Sequence, residues 1–512
     1  INIANIFTPV NAGVTSAGST VWFNGPTQTI PSFNFFNHVI FGNAGTTHTL
    51  SGQITIAGDL TINTTTFNDG GFQIVGPGFG SGTFTILAPS ARTYNGSYAG
   101  AKAIPDFQTY NIWGNNTNTT NFNFSGANAA AQTFPAATYG NIVLTNGGLN
   151  KKTAGGNMIV MGNFTLTSGS FDDGSFTVSM YRNLANNIAV GASSSGITST
   201  GAGKIVLTGA IATHAISSTV TPVNFGNIEL NDGQGATWTS SAAVTNLTGN
   251  LTISVGTLTL NGFGTSFNVS GNTSISATST LSFGTVTGSK NFNNITVNGN
   301  WIETGIHVIG IAGDLENNGT FSASTGTHTF SGTAKEIRGA NFVAIPNVSI
   351  TGTYTNKLTG SYNLLNGGPF FIANGGFRVT TAWIAGAGTL TQFNNALLVN
   401  TPANITPTLV ASASGNTVVY NAGVVTTIKI PSGGNYYNLI LNPTGSTTFS
   451  LSGATTINNN LTFYPSIINA FFADATFLLT GPGAGSGTFS MNSPFVNTMN
   501  LTNTTLTPTS PF

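Results

Sequence analysis

The sequence predicts an all-β chain folded as an elongated parallel β-solenoid of diverged repeats. Three observations predict it: internal repetition, short apolar alternations at close spacing, and a composition that favours pleated surfaces over helices. Glycine occurs 66 times in the 512 residues and charged residues make up 5%. Threonine, valine, isoleucine and phenylalanine abound, whereas the lysine and glutamate that helices use are scarce.

Repetition sets the order of the elements. Residues 29 to 74 match residues 133 to 178 at a constant offset of 104, pairing Pro31 with Pro135, Asn37 with Asn141, Phe67 with Phe171, Asp69 with Asp173 and Phe72 with Phe176. A further copy near the C-terminus restates FFNHVI as YYNLIL at an offset of 401, and GPGFGSGTFT (76–85) returns as GPGAGSGTFS (481–490). Weaker copies begin at FGNIEL (225–230) and FNNITV (292–297). The expected division is an N-terminal strand or cap over 1–28 and repeat units over 29–132, 133–220, 221–290, 291–429 and 430–512.

Within a copy the period is finer. From Leu251 onward apolar doublets fall at Leu251 and Ile253, Leu258 and Leu260, Phe267 and Val269, Leu281 and Phe283, and Ile295 and Val297, with Gly, Asn or Ser between. Three such steps make a coil of roughly 20 to 25 residues, one turn of a β-helix. Glycine and asparagine take the corners, where the backbone turns into positive φ. Tandem β-sandwich domains of about 100 residues are the alternative architecture that the 104-residue offset also suits. Proline-bearing stretches near 77–105, 401–407 and 505–511 are expected to be loops or joints.

Charge excludes several functions. Twelve basic and twelve acidic residues cancel, leaving no basic stripe for a phosphate backbone, so no nucleic-acid partner is expected. No apolar run approaches the roughly 18 residues of a membrane-spanning helix, so no membrane-spanning segment is expected. An outer-membrane barrel also alternates, but its segments of about ten residues exceed the three-to-five-residue alternations here. With no cysteine, disulfides and thiolate metal sites are absent. The chain opens INIANIFTPV, without a charged n-region or long apolar h-region, and reads as a mature or excised segment.

A search for chemistry leads to expected absences: no catalytic, cofactor-binding or metal-binding residues, and no cofactor. A polysaccharide-cleaving β-helix needs clustered carboxylates; the one adjacent pair is Asp172 and Asp173. Asp173 recurs as Asp69 and Asp474, each just before a strand phenylalanine, so side-chain capping of a turn explains it better than acid–base work. Asp59 and Asp314 fill a G-D-L corner that holds asparagine in GNF (162–164) and GNL (249–251), which suits hydrogen bonding and not ionisation. The histidines His38, His48, His214, His307 and His328 lack metal-ligand spacing, and the THTL and THTF contexts of His48 and His328 suggest outward positions. GPGFGSG and GPGAGSG lack the Lys-Ser/Thr of a phosphate loop. The threonines of TINTTTF (61–67) would need to recur as Thr-x-Thr on equal coils to make an ice-binding array. Trp22, Trp113, Trp238, Trp301 and Trp383 are candidates for stacking on sugars.

QTIPSFNFFNHVIF (28–41), GDLTIN (58–63), GNLTISVGTLTLNG (249–262), GDLENNGTFSASTGTHTFSGTAKEIRG (313–339) and IPNVSITGTYTN (345–356) together carry a resemblance. They resemble the repeat regions of large secreted surface proteins and adhesins of the Bacteroidetes and related bacteria, many exported by the type 9 secretion pathway. The resemblance covers about half the chain and implies an extracellular or cell-surface location and a stalk or adhesive role. The chain departs from the pattern in two ways. The closing residues LTNTTLTPTSPF do not read as a sorting domain, so removal of such a domain on export or a different route is expected, and none of the eight aspartates precedes Ser or Thr, as the corresponding O-glycan signal requires. The expected function is a non-enzymatic extracellular structural protein, the subunit of a bacterial cell-surface filament that self-associates through its ends into a homopolymer. An adhesin stalk or carbohydrate-binding surface protein, with surface glycans as partners, is the alternative; a polysaccharide-active β-helix enzyme ranks below both.

Overall fold

A computed structural model of the chain describes residues 1–500 apart from 9–15, 88–90, 116–118, 126–131, 146–150, 187–195, 210–211, 219–221, 242–243, 263–265, 285–287, 342, 346–347, 359–361, 365–368, 373–375, 380–383, 387–388, 393, 402–404, 445–446, 452–454, 464–467, 474–476, 480–488 and 492–498. It is a parallel β-solenoid, as the sequence predicts, and not a string of sandwiches: strands pair in parallel with their counterparts one coil on. The one helical element among the described residues is a 3₁₀ turn at Ser432–Gly434. The chain forms two compact units, Ile1–Gly271 and Asn272–Phe512.

In the first unit each regular coil has three short strands, one on each of three sheets. A representative coil runs through Lys204–Leu207, His214–Ser218 and Val223–Phe225, and the next through Ile228–Asn231, Ala236–Ser240 and Val244–Leu247. Where corners are tight, equivalent residues lie 20 to 23 positions apart. Where a loop leaves the coil, as between Asn183 and Ala215, the interval is 32. The loops absorb the irregular spacing of the copies, so the strands stay in register.

Strand alternation builds the core. In Thr47–Leu50 and Leu60–Ile62 every second residue is buried, so a strand of three to five residues sends about two side chains inward. Successive registers stack Phe67, Tyr94, Phe122, Ile142, Phe164, Leu184, Ile216, Trp238 and Leu260 in one inner column. All nine are buried, and each contributes on the order of 1.5–3 kcal/mol by leaving water. The column is aromatic at one end, with ring centroids 5.6 Å apart for Phe67 and Tyr94 and 5.9 Å for Tyr94 and Phe122.

The N-terminal residues close the first coil. Asn2 and Ile3 pair with Trp22 and Phe23, and the Phe7 ring meets Phe23, Phe33 and Phe36 at 5.4, 6.2 and 6.3 Å. Phe7 therefore covers apolar interior that an uncapped solenoid would expose.

The second unit repeats the scheme. Leu281, Trp301 and Phe321 form one inner column, and Leu398, Val418, Leu439 and Leu461 form another. Among the described residues no helix is long and apolar enough to cross a membrane.

Candidate functional site

The sequence holds one adjacent pair of carboxylates, Asp172 and Asp173. Asp172 and Asp173 are sealed from solvent at 3% and 0% exposure. Asp172 accepts from the Gly174 amide at 2.7 Å and from the Thr198 and Thr200 hydroxyls, and faces Lys151 Nζ at 2.9 Å. Burial alone raises its carboxyl, but these partners outweigh it and hold the group below the usual range. Asp173 Oδ1 accepts from the Ser175 and Thr200 amides; burial dominates there and raises the carboxyl, with Asp172 adding to the rise.

Asp69 repeats this geometry at the predicted offset. Its Oδ1 accepts from the Gly71 amide at 3.0 Å and the Ser97 amide at 2.8 Å, and its Oδ2 from the Tyr98 amide at 3.0 Å. The backbone carbonyls of Asp69 and Asp173 accept from the Phe72 and Phe176 amides. Between them Gly70 and Gly71, or Gly174 and Ser175, take positive φ, which glycine adopts freely and serine does not. A third such turn, which sequence matching missed, lies at Asp232, whose Oδ1 accepts from the Gln234 amide while Gly235 has φ 73°. The expected equivalent at Asp474 lies outside the described residues, as does the whole GPGAGSG loop.

The G-D-L and G-N-L corners are ladders of hydrogen bonds between coils. Asn141 Oδ1 accepts from the Asn163 amide at 2.7 Å, Asn163 Oδ1 from Asn183, and Asn183 Oδ1 from Ala215. Asn294 Oδ1 accepts from the Asp314 amide, and Asp314 Oδ1 from Glu336, both near 2.8–2.9 Å. Asp59 Oδ1 does the same for the Thr83 amide at 2.8 Å. The ladder itself uses only a side-chain oxygen, which aspartate and asparagine both supply, while the second oxygens of Asp59 and Asp314 meet His38 and Arg338. The preceding glycine is there for space: a Cβ on Gly162, Gly249 or Gly313 would lie 2.2–2.3 Å from the Oδ1 of the previous coil's asparagine.

Two histidine expectations are corrected. His48 and His328 point inward and are 0% exposed, because each stands two residues before a core residue, Leu50 or Phe330, on an alternating strand. His48 Nε2 donates to Gln28 Oε1 at 3.0 Å, and the Gln28 amide donates to the Ile3 and Asn5 carbonyls. The offset of 104 maps this onto Gln132 and Lys152: Lys152 Nζ donates to Gln132 Oε1, and Gln132 Nε2 donates to the Tyr98 and Gly100 carbonyls. Burial lowers the His48 imidazole to about 4 and the Lys152 amine to about 8.

In the second unit Glu303 collects His328 Nε2 at 2.9 Å, Trp301 Nε1 at 2.7 Å and the Ser324 amide at 2.9 Å. These bonds overcome burial and hold its carboxyl below the usual range. His214 bridges the Arg182 carbonyl and Asp232 in the first unit. His38 meets Asp59 at the surface. These polar groups tie interior loops to strands. Among the described residues no group of three His, Asp or Glu is placed to share a metal ion.

The proposed sugar platforms are also corrected in part. Trp238 and Trp301 are fully buried in the inner columns, on strands where threonine or isoleucine alternates outward. Trp22 is half-buried and donates to the Gly42 carbonyl; Trp113 is half-buried; Trp383 lies outside the described residues. Threonine does form outward ranks, Thr27, Thr47, Thr66 and Thr93 in one and Thr29 and Thr49 in the other. The second rank passes into Asn68, Asn95 and Asn123, whose amides bond one to the next at 2.7 and 2.9 Å, so a two-rank Thr-x-Thr face lasts only two coils.

Five charged side chains of the second unit pair with one another on adjacent coils. Arg338 meets Glu316, Glu336 and Asp314 at 3.1, 3.2 and 3.5 Å, and Lys357 joins Glu336.

One concavity in the first unit differs from all of this. The turn from Asp69 to Phe79 and the loop from Ser97 to Asp106 face each other across a half-open cleft of about 130 Å³. The two walls are fastened by the Asp69 bonds to Ser97 and Tyr98 at one end and by Gly78 N donating to the Asp106 carbonyl at the other. Ile104 and Phe107 anchor the loop in the core. The exposed ring of Phe72 lines the cleft, and the exposed ring of Phe79 lies beside it against Lys102. Lys102 Nζ stands 5.3 Å from the Phe79 centroid and 3.6 Å from Asp106 Oδ1.

No protein-family model, curated protein or solved structure matches this chain.

Proposed function

We propose that the chain is a non-enzymatic structural protein of a bacterial cell surface, a stacked spacer that associates with further copies through its ends. One observation carries this reading: among the described residues, the acids other than Asp106 are engaged in bracing turns or joining one coil to the next. Asp69, Asp173 and Asp232 brace turns, Asp59, Asp314 and the corner asparagines carry ladders, and Glu303 is enclosed by three donors. A general acid or base needs instead to reach a substrate proton. The surface location rests on the resemblance of the repeats.

Association through the ends is supported by the first strands. Among the described residues, the outer edge of Ser16–Phe23 is paired only by the two residues Asn2–Ile3, and an edge with unpaired amides and little charge is a template for another chain. Electron microscopy and light scattering of the purified chain at rising concentration test this. Filaments or a mass that grows with concentration are expected; a compact monomer at every concentration overturns the polymer.

A further inference from the structure

We propose that the cleft between the Asp69–Phe79 turn and the Ser97–Asp106 loop is a saccharide-binding subsite for one neutral hexopyranose ring. The inference goes beyond the structural reading and does not depend on it, since a chain that never polymerises can still hold a sugar.

Size, shape and chemistry each point the same way. A volume of about 130 Å³ admits one small ring and not a drug-sized ligand, whose pockets begin at about 300 Å³. The walls are tied to each other and to the core, so little ordering is needed on binding. Phe72 and Phe79 are 38% and 58% exposed, whereas the aromatic rings of the strand columns are buried. An exposed apolar ring lining a cleft whose walls mix polar and apolar groups suits a ligand that has both a C–H face and hydroxyls.

The polar groups select among such ligands. Lys102 offers donors only and Asp106 acceptors only; side by side at 3.6 Å they match neighbouring hydroxyls, each of which donates and accepts. Their charges cancel, and Asp69 is 2% exposed with its oxygens already bonded to the loop, so the rim favours a neutral sugar over a uronate or an amino sugar.

The repeat supplies an internal control. At the offset of 104, Phe176 occupies the same turn and is 37% exposed, but a short turn in which Gly203 N bonds the Thr200 carbonyl replaces the 97–106 loop. Exposure of the phenylalanine is thus a property of the turn, and the cleft is a property of the added loop.

The test uses the full chain, titrated with methyl glycosides of glucose, galactose, mannose and N-acetylglucosamine and with glucuronate. Saturation-transfer NMR and calorimetry are the readouts. Saturable binding of at least one neutral glycoside is expected, weakened about tenfold or more by Phe72→Ala and by Asp106→Asn and unchanged by Phe176→Ala. Asp106→Asn is isosteric and reports on the site even if Phe72→Ala disturbs the turn. Binding of none of the neutral glycosides, binding that survives both substitutions, or binding of glucuronate alone overturns the assignment.

Discussion

At the scale of single residues, the apolar interior of this solenoid also holds a minority of buried polar side chains, among them His48, Lys152 and Glu303. His48 and Lys152 take the same place in two copies, and each answers a glutamine of the preceding coil. Burial lowers both groups, His48 from 6.5 to about 4 and Lys152 from 10.5 to about 8. Each of these two groups therefore binds more protons in the unfolded chain, His48 between pH 4 and 6.5 and Lys152 between pH 8 and 10.5, so its own contribution to stability rises with pH across that window. Tyr110, Tyr354 and Tyr420, raised by burial from 10 to about 12, act in the opposite sense from pH 10 upward. Urea unfolding followed by circular dichroism is expected to show His48 costing about 3 kcal/mol as pH falls from 6.5 to 4, at 1.36 kcal/mol per pH unit. His48→Gln flattens that slope relative to the parent chain, and an unchanged slope contradicts the assignment of the proton to His48.

At the scale of the element, the corner is the recurrent device, and glycine enters it for two reasons. In the Asp69 and Asp173 turns Gly70, Gly71 and Gly174 supply positive φ. In the G-N-L corners the glycine clears room for an asparagine of the coil before, since a Cβ on Gly249 would sit 2.3 Å from Asn227 Oδ1 and 2.7 Å from its amide nitrogen. Gly249→Ala is expected to destabilise the chain by about 1–3 kcal/mol through overpacking. Asp59→Asn should stay within about 0.5 kcal/mol at neutral pH, because Thr83 needs only an oxygen there and the exposed His38 pair is worth little. Denaturant midpoints of the two variants check both expectations, and a large loss in Asp59→Asn would show that the charge matters.

At the scale of the whole molecule, each coil touches mainly its neighbours, so stability is a sum of coil and interface terms and damage at one coil stays local. Phe7 is the piece that closes the first coil. Phe7→Ala is expected to speed hydrogen exchange in Thr27–Ile30 and Phe33–Phe41 while leaving Asn141–Thr145 and Phe164–Ser168 unchanged; exchange that accelerates throughout would mean the coils unfold together.

Local physics was legible in the string. The Asp173 turn could be read because an aspartate bonds backbone two residues on, and the coil length because inward residues alternate along each strand. The inward aim of His48, Trp238 and Trp301 was written in that same alternation, yet the polar identity of His and the amphipathic ring of Trp suggested the surface. What the sequence could not contain was the partner one coil away: Gln28 beneath His48, Asn141 beneath Gly162, Glu303 beneath His328. Such contacts depend on register, and register follows from where loops leave the coil. The cleft belongs to this second class. Its phenylalanine turn is encoded locally in both copies, but only the folding back of residues 97–106 onto the first makes an enclosed wall, because loop closure is decided by the core anchors Ile104 and Phe107 and not by the turn itself.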